Sequence, residues 1–375
     1  MQILTLNKIS SKGTDLLDKE KYTCSDAVEN PDAVLVRSAS MHEMDFPASL
    51  KSIARAGAGV NNIPLDKCTQ EGIVVFNTPG ANANAVKELV VCALLLVSRR
   101  IPAAIDWCKT LKGEGENVGK LVEKGKSNFA GPEIAGKTLG VVGVGAIGNK
   151  VAQAAVALGM KLVCFDTFMT PEHAAALGES VQVVDHMDAL YAASDYITLH
   201  IPATPETKGM INAENLAKCK DGVRILNFAR GDLVNNADLL AAIKSGKCAA
   251  YITDFAADEL LGVDGVVALP HLGASTPESE ENCAVMAVNQ TVDFLENGNI
   301  VNSVNFPAVS LPRKSKNRLC ITATKDVSAE VEAAVSVVAS ASGMKKGFYM
   351  IADTDAPVDE NTIKAIDGVT RVRVL

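Results

Sequence analysis

Short apolar segments alternate with longer amphipathic segments along most of this chain. In the first ninety residues, segments rich in β-branched residues occur at 3–6, 33–36 and 73–76. Such segments favour strands, whereas residues 84–99 have the length and spacing of a helix. The N-terminal part is therefore predicted to be a small domain of alternating strands and helices.

A second series of apolar segments begins at Lys137, and turn or helical sequence separates its members. Strands that are apolar throughout are typical of a parallel sheet covered by helices on both faces. The pattern predicts an α/β fold with a doubly wound parallel sheet. Its strands are expected in GKTLGVVG, KLVCFD, DYITLHI, GVRILNFA, CAAYITD and GVVALP.

The last hundred residues change in character. A long helix is predicted over 278–297, and the proline-containing stretch that follows it is typical of a linker. A small α+β tail then reads as strand RLCITAT, helix SAEVEAAVSVVASA, strand FYMIADTD, helix ENTIKAIDG and strand VTRVRVL. The expected division is 1–90 with 276–305, then 91–275, a linker at 306–317, and 318–375.

Composition narrows the class of protein. A chain of 375 residues is too long for one ordinary core, and 48% hydrophobic with 21% charged residues is normal for globular domains. The formal charge of -8 argues against a nucleic acid or an anionic membrane as partner. An anionic small molecule would therefore need a local basic pocket.

Nine cysteines occur without a CxxC pair, so we expect neither a metal site nor a disulfide framework, but reduced, buried thiols. The start, MQILTLNKIS, lacks the features of a secretory signal. The longest apolar run, residues 89–97, is too short to cross a membrane. A cytoplasmic protein without a membrane partner is expected.

The segment LGVVGVGAIGNKVAQAAVALG places three glycines in GxGxxG spacing after an apolar strand and at the start of a helix. In a dinucleotide site, Gly143 permits the tight turn, Gly145 admits the pyrophosphate and Gly148 allows close helix packing. The amides of the following turn, with Ala146 and Ile147, would bind the phosphates. This context predicts a Rossmann-type cofactor site.

Asp166 ends the next strand, where an acid can accept hydrogen bonds from the adenosine ribose. An NADP phosphate would meet this carboxylate, and two like charges about 4 Å apart cost up to ~4 kcal/mol at an effective dielectric of 20. Residues 167–170 supply no cation to offset that repulsion. NAD is therefore the expected cofactor.

Six ordered blocks, ARAGAGVNNI, FNTPGANANAVKEL, GVGAIG, LHIPATPETKGMIN, NFARGDLVN and PHLGAST, strongly resemble the D-isomer-specific 2-hydroxy acid dehydrogenases. The resemblance covers nearly the whole chain and is strongest to members that use phosphoglycerate. It implies a Rossmann domain, a smaller flavodoxin-like substrate domain and an ACT-like tail. The implied activity is NAD-dependent oxidation of 3-phospho-D-glycerate to 3-phosphooxypyruvate, the first step of serine biosynthesis.

The family's chemistry assigns Arg230, in NFARGD, to the substrate carboxylate and carbonyl. It assigns His271, in PHLGAST, to proton transfer with the 2-hydroxyl. A guanidinium fork matches a carboxylate, and an imidazole that titrates near neutral pH can take the hydroxyl proton. Among the five histidines, His271 is the one beside a glycine-rich turn that ends a predicted strand.

The family also pairs this histidine with an acid in a DVFxxEP segment, where this chain has TDFAADELLG. Anchoring on Asp254 makes Glu259 the acid, whereas anchoring on Phe255 selects Asp258. We prefer Glu259, with Asp254 as a partner of the nicotinamide amide. The same resemblance assigns further cofactor contacts to Pro202, Thr207, Ala229, Gly273 and Ala274.

By resemblance to the phosphoglycerate-using members, the substrate residues of the small domain are Arg37 with Ser38, Arg55 and Asn82. Two additional cations would suit a substrate that carries a phosphate as well as a carboxylate. Lys126 falls where relatives use a basic residue from the partner subunit. A homodimer or homotetramer is therefore expected.

Two other functions remain open. Arg230 and His271 would serve a glyoxylate or hydroxypyruvate reductase equally well, and some members of the superfamily use NAD to control assembly as binding proteins. The ACT-like tail reads TKDVSAE where an effector-binding Asn-x-Pro-Gly turn is usual. A second tail strand is expected to be missing or abbreviated. We therefore expect the tail to serve subunit assembly, with serine inhibiting weakly or not at all.

Overall fold

The computed structural model describes residues 1–178 and 181–375. It consists of two compact units: a terminal unit, Met1–Asn82 with Pro277–Leu375, and a central unit, Ala83–Thr276. The helix Ala83–Ser98 belongs to the central unit, because its apolar face packs in the central core through Val86, Val90 and Leu94.

The first part of the terminal unit is built around a parallel sheet in the order β2-β1-β3-β4-β5. All four residues of its central strand are buried, as expected for a strand covered on both faces. The three predicted strands are confirmed. The elements are β1 Gln2–Leu6, α1 Ser11–Thr14, β2 Thr23–Ser25, β3 Ala33–Val36, β4 Ser52–Arg55, α2 Leu65–Gln70 and β5 Val74–Phe76.

In the central unit, a parallel sheet has the order β12-β11-β10-β9-β6-β7-β8, which confirms the doubly wound fold. Its strands are β6 Thr138–Val142, β7 Lys161–Phe165, β8 Val181–Val183, β9 Tyr196–Leu199, β10 Val223–Asn227, β11 Cys248–Thr253 and β12 Val266–Ala268. Its helices are α3 Ala83–Ser98, α4 Ile101–Thr110, α5 Val118–Gly125, α6 Ala146–Ala157, α7 Pro171–Ala176, α8 Met187–Ala193, α9 Ala213–Lys218 and α10 Asn236–Ser245. One-turn 3-10 helices occur at Gly115–Asn117, Lys126–Phe129, Gly231–Leu233 and Asp258–Leu260.

The C-terminal part of the terminal unit begins with a long helix and ends in an antiparallel sheet of order β14-β15-β13-β16. The tail thus has β-α-β-β-α-β topology, which bears out the expected small α+β fold. The elements are α11 Pro277–Asn297, β13 Asn317–Ala323, α12 Ser328–Ala334, β14 Val337–Met344, β15 Phe348–Thr354, α13 Glu360–Lys364 and β16 Val369–Val374.

The prediction of one helix over SAEVEAAVSVVASA is wrong in its second half. The helix α12 stops at Ala334, and residues 337–344 form the strand β14. The valines at 337 and 338 favour a strand because branching at Cβ restricts them in helices. The strand that was expected to be missing or abbreviated is therefore present, with eight residues, seven of which pair with β15.

The tail shares a hydrophobic core with the rest of the terminal unit. Cys320, Tyr349 and Ile351 pack in the same cluster as Phe294 and Phe306. The Tyr349 hydroxyl donates a 2.6 Å hydrogen bond to the Gly298 carbonyl. The stretch expected to be a linker is thus partly buried, with Phe306 fully enclosed.

All nine cysteines are free, but the expectation that they are buried fails for Cys92 and Cys108, which are exposed, and for Cys24, which is half-buried. Within the described ranges, no helix is both long and apolar enough to span a membrane. The same residues contain no group of three or more His, Cys, Asp or Glu side chains placed to hold a metal ion.

Candidate active site

The glycine-rich loop of the central unit connects β6 to α6. Gly143 has a positive φ of 86°, and a Cβ there would lie 2.7 Å from the His200 carbonyl oxygen. A Cβ at Gly148 would collide with the Gly143 carbonyl, so the helix packs directly on the loop. At Gly145, which precedes α6, a Cβ would meet open space. The loop therefore leaves room before a helix N-terminus, where backbone amides bind phosphate.

Asp166 is held rigidly at the end of β7. One carboxylate oxygen accepts a 2.7 Å hydrogen bond from the Val144 amide, and the other accepts one of 2.8 Å from the Phe168 amide. A carboxylate can accept about four hydrogen bonds, so acceptor sites remain for ribose hydroxyls. A cavity of about 390 Å³ adjoins it, and no lysine or arginine occurs among the residues lining it. This lining fits the adenosine half of NAD and offers no partner for an additional phosphate.

Asp254 follows β11 and is only 2% exposed. Its Oδ2 accepts a 2.9 Å hydrogen bond from the Gly273 amide, whereas the buried Oδ1 has no hydrogen-bond partner within the described structure. Burial raises the pKa of Asp254, against the opposing effects of the Gly273 amide and the charge of His271. A buried acceptor without a donor is costly. The nicotinamide carboxamide has an N–H group of the kind that this oxygen lacks.

Arg230 occupies a turn that the buried Asn227 holds in place. The side-chain nitrogen of Asn227 donates a 2.9 Å hydrogen bond to the Arg230 backbone carbonyl. The side-chain oxygen of Asn227 accepts a 3.2 Å hydrogen bond from the Ala229 backbone amide. The Arg230 side chain is exposed, and Nη1 donates to the Ala229 carbonyl at 2.6 Å. None of the ion pairs in the described ranges involves Arg230. Its guanidinium thus has donors left for a carboxylate. Sequence reasoning missed the positioning role of Asn227.

His271 lies on the turn after β12 and is exposed. Its ring is 5.0 Å from the Phe255 ring at an angle of 54°. The turn is anchored two residues later, where the Gly273 amide bonds to Asp254. The imidazole is therefore positioned by packing on Phe255 and by a backbone attached to a buried carboxylate. Ala274, the other residue expected to contact the cofactor on this turn, is half-buried.

Glu259 lies in the 3-10 turn Asp258–Leu260 and is exposed, as is Asp258. The Asn236 side chain donates a 2.8 Å hydrogen bond to Glu259 and lowers the pKa of that carboxyl group. No hydrogen bond or ion pair between either acid and His271 occurs in the part of the chain that is described. The charge of His271 lowers the pKa of the buried Asp254 carboxyl group, against the larger effect of burial. Glu259 as the catalytic acid stays a prediction.

The segment after β9 folds on itself. Thr207 donates to the Pro202 carbonyl at 2.9 Å and accepts from the Thr204 amide at 2.8 Å. Just before this turn, His200 Nε2 is 3.0 Å from the Thr198 hydroxyl, while Nδ1 is buried without a partner among the described residues. Burial lowers the pKa of His200 to about 3, so this imidazole is neutral at physiological pH. Its position at the carboxyl end of a parallel strand was the signal that could have singled it out.

In the terminal unit, Arg37 and Arg55 lie at the carboxyl ends of the adjacent strands β3 and β4. The Arg55 Nε donates a 2.9 Å hydrogen bond to the Arg37 carbonyl. Arg37 Nη2 forms a 2.7 Å ion pair with Glu280 of α11. The Ser38 amide donates to the Asn7 side chain at 3.1 Å. The structure thus brings together the two predicted arginines and Ser38, and adds an acid that sequence reasoning did not find.

Two buried acceptors in the terminal unit lack partners. Thr78 Oγ1 and Asn82 Oδ1 are enclosed, and neither has a hydrogen-bond partner within the described ranges. Thr78, Arg55 and Arg37 each lower the pKa of the Cys283 thiol, against the larger effect of burial. These residues therefore lie close to one another. Asn82 ends this part of the unit.

Lys126 lies in the central unit at the start of the 3-10 turn Lys126–Phe129. It is exposed and forms an ion pair with Glu123, three residues earlier. Its predicted role in a partner subunit's site stays a prediction.

Comparison with known proteins assigns part of the central unit to a family. Residues 91–273 match the model of the "D-isomer specific 2-hydroxyacid dehydrogenase, NAD binding domain". A D-3-phosphoglycerate dehydrogenase of Synechocystis is 39% identical over 328 residues, which cover 82% of this chain and 57% of the relative. The chain spans about half the length of the curated relatives it matches.

Solved structures resemble the chain over a similar share of its length. An NAD-bound 3-phosphoglycerate dehydrogenase from Entamoeba histolytica is 29% identical with a TM-score of 0.64, covering 81% of this chain and 98% of that one. A glyoxylate reductase from Paecilomyes thermophila is 25% identical with a TM-score of 0.68, covering 81% and 98%. Through residues 91–273, the chain carries the NAD-binding domain of the D-isomer specific 2-hydroxyacid dehydrogenase family.

Proposed function

We propose that the protein oxidises 3-phospho-D-glycerate to 3-phosphooxypyruvate with NAD, the first step of serine biosynthesis. The observation that carries this proposal is the pair of arginines, Arg37 and Arg55, joined by a hydrogen bond at the ends of β3 and β4. They supply two cations in addition to Arg230, in a chain with a formal charge of -8. A phosphate group needs cations of this kind close to it, because the chain as a whole is acidic.

In this mechanism the Arg230 fork binds the substrate carboxylate and carbonyl oxygen. His271 accepts the proton of the 2-hydroxyl group, and it needs a neutral imidazole to do so. NAD supplies the hydride acceptor when it is bound. Asp254 would accept the nicotinamide amide through Oδ1 and keep the His271 turn in place through Oδ2. Asp166 would bind the adenosine ribose.

Turnover assays on the purified protein test the proposal. We expect nicotinamide absorbance to report NAD-dependent oxidation of 3-phospho-D-glycerate, with kcat/KM well above that for D-glycerate or D-lactate. Arg37→Ala and Arg55→Ala should each impair use of phosphoglycerate more than use of D-glycerate. Equal losses on both substrates would contradict the phosphate assignment.

A glyoxylate or hydroxypyruvate reductase is the second candidate. Two observations favour it: the similarity to a glyoxylate reductase and the ion pair between Arg37 and Glu280, which engages one of the two cations. Reduction of glyoxylate with NADH at a kcat/KM above that of the phosphorylated pair would support this reading. Tight NAD binding without turnover of any hydroxy or keto acid would instead favour an NAD-responsive binding protein.

We also propose that the protein is a cytoplasmic homodimer or homotetramer, with Lys126 contributing to the site of a second copy. Neither α4 nor α5 has a buried residue, and the side chains of Ile101 and Ile105 are 37% and 51% exposed. A shallow cavity of about 490 Å³ is lined by residues of α4 alone, among them these two isoleucines and Lys109. Burying these apolar side chains against a second copy of the chain would stabilise a dimer. Sedimentation should show a smaller assembly for Ile105→Glu, and an unchanged assembly would exclude this surface.

The functional division is proposed as substrate domain 1–90 with 276–305, NAD-binding domain 91–275, linker 306–317 and ACT-like domain 318–375. In the tail, the turn that would bind an effector is closed by its own side chains. Asp326 accepts hydrogen bonds from the Ser328 amide at 2.9 Å and its hydroxyl at 2.7 Å, and Lys325 pairs with Asp367. We therefore propose that the tail serves assembly and that L-serine inhibits weakly. Strong inhibition by L-serine, relieved by Asp326→Ala, would contradict this.

A further inference from the structure

Arg37 has an internal counter-ion. Its Nη2 lies 2.7 Å from Glu280 Oε1, and the two side chains are 38% and 42% exposed. Glu280 lies in the first turns of α11, whereas Arg37 follows β3, so the pair joins two separate parts of the terminal unit. A carboxylate at this distance uses the same donors that an incoming anion would use.

Arg55 is held differently. Its Nε donates to the Arg37 carbonyl, and its guanidinium lies over Gly57, where a Cβ would overlap Nη1. The neighbourhood therefore combines two oriented guanidiniums with one competing carboxylate.

We propose, building on the function proposed above, that Glu280 is a specificity-determining residue that screens Arg37 against free anions. In the unliganded protein, an anion must displace Glu280 before it can bind Arg37. Free inorganic phosphate has no second group through which to bind, so no other contact with the protein offsets the displacement of Glu280. Phosphoglycerate is also held through its carboxylate, which raises the effective concentration of its phosphate at Arg37. The carboxylate of Glu280 thus favours the bifunctional substrate over the free ion.

The expected strength follows from the exposure of the pair. A half-exposed ion pair contributes little in water, and a neutral residue would also remove repulsion of a bound dianion, so we expect a gain of about twofold to tenfold in phosphate affinity. The gain in phosphate affinity should depend on Arg37. The loss of one negative charge elsewhere on α11 should not produce it.

Titration calorimetry with inorganic phosphate on the full chain tests the proposal without turnover. Glu280→Gln should bind phosphate about twofold to tenfold more tightly than wild type. Glu281→Gln, the neighbouring residue with the same change in charge, should bind like wild type. In an Arg37→Ala background, Glu280→Gln should have no further effect. Glu280→Ala serves as a second neutral variant if the glutamine variant does not fold, since alanine suits a helix.

Steady-state kinetics add a second readout. Glu280→Gln should lower the KM for phosphoglycerate and the inhibition constant of phosphate, with kcat unchanged and the KM for D-glycerate unchanged. Unaltered phosphate affinity in both neutral variants, the same gain in Glu281→Gln, or a gain that persists without Arg37 would each overturn the proposal. Wild-type protein that fails to oxidise phosphoglycerate would refute the proposed function alone, because the calorimetric result is independent of turnover.

Discussion

The reactivity proposed for His271 depends on where its ring is held. The ring packs on Phe255, and its turn is attached to Asp254 through the Gly273 amide. The dinucleotide loop and Asp166 belong to other strands of the central sheet. Proton transfer and cofactor binding are therefore assigned to different groups and can be separated by substitution.

His271→Ala should lower kcat by about 10² to 10⁴ while the dissociation constant of NAD changes little, because the imidazole transfers a proton and does not hold the dinucleotide. Stopped-flow turnover and fluorescence titration of NADH measure the two quantities. His186→Ala, at an exposed histidine of the same unit, provides the control. Turnover of His271→Ala within threefold of wild type would remove this residue from the mechanism.

Asp166→Asn should shift cofactor preference toward NADP by about tenfold or more, since it removes the repelling charge. The asparagine oxygen can still accept the hydrogen bond that Asp166 now accepts from Phe168 or Val144. The loop geometry should therefore survive better than in Asp166→Ser. Equilibrium binding of both nucleotides measures the ratio, and an unaltered ratio would show that Asp166 does not face the ribose.

At the scale of elements, the contact between β6 and α6 makes two neighbouring glycines respond differently. Gly148 packs on the Gly143 carbonyl, whereas Gly145 faces open space. Gly148→Ala should lower stability, by about 1–3 kcal/mol for overpacking, together with NAD affinity. Gly145→Ala should leave the melting temperature near that of wild type and weaken NAD binding alone. Thermal unfolding with and without NAD distinguishes the two, and equal melting temperatures would contradict the packing argument.

Secondary structure was predictable wherever a local pattern agreed with its surroundings. The apolar segments of the central unit form β6, β7, β9, β10, β11 and β12, and most residues of β6, β9, β10 and β11 are buried. The error in the tail arose because the alanine-rich sequence is compatible with a helix or a strand. Residues 337–344 form a strand because they pair with β15. The short strands β2, β4 and β8 were not predicted, because each contains polar residues and therefore shows no continuous apolar segment.

At the scale of the whole molecule, a buried ion pair contributes to holding the tail sheet on the terminal unit. Arg318 binds Asp353 through two hydrogen bonds of 2.7 and 3.0 Å, with side chains 1% and 0% exposed. Its remaining nitrogen donates to the Asn297 carbonyl at the end of α11 at 2.8 Å. Arg373 lies over the Phe294 ring and bonds to the Phe294 and Leu295 carbonyls. Removing the tail would uncover these groups, so truncation is not a neutral change.

Asp353→Asn should destabilise the protein by about 3–5 kcal/mol at neutral pH, because it leaves the Arg318 charge buried without its partner. Denaturant unfolding measures the loss, with the exposed Asp355→Asn as control. Burial alone would raise the pKa of Asp353, but the bonds from Arg318 and the Lys314 amide lower it on balance.

The pH dependence of this difference has a definite sign. A carboxyl group with a depressed pKa in the folded state stabilises fully above its unfolded pKa of about 3.9. The difference in the free energy of unfolding between wild type and Asp353→Asn should therefore stay constant from neutral pH to about 4 and decrease below it. An increase in this difference on acidification would contradict the depressed pKa of Asp353.

The sequence alone determined the doubly wound fold, because its apolar strands form continuous local patterns. It also predicted Gly143, Gly145, Gly148, Asp166, Arg230 and His271 as site residues, because the proposed chemistry needs a fixed local spacing. Partners that are remote along the chain were decided only by tertiary structure. The pairing of Arg37 with Glu280, the orphaned oxygen of Asp254 and the Arg318–Asp353 bridge depend on burial and on atomic distances. Neither spacing nor composition encodes these, since they arise only when separate elements pack together.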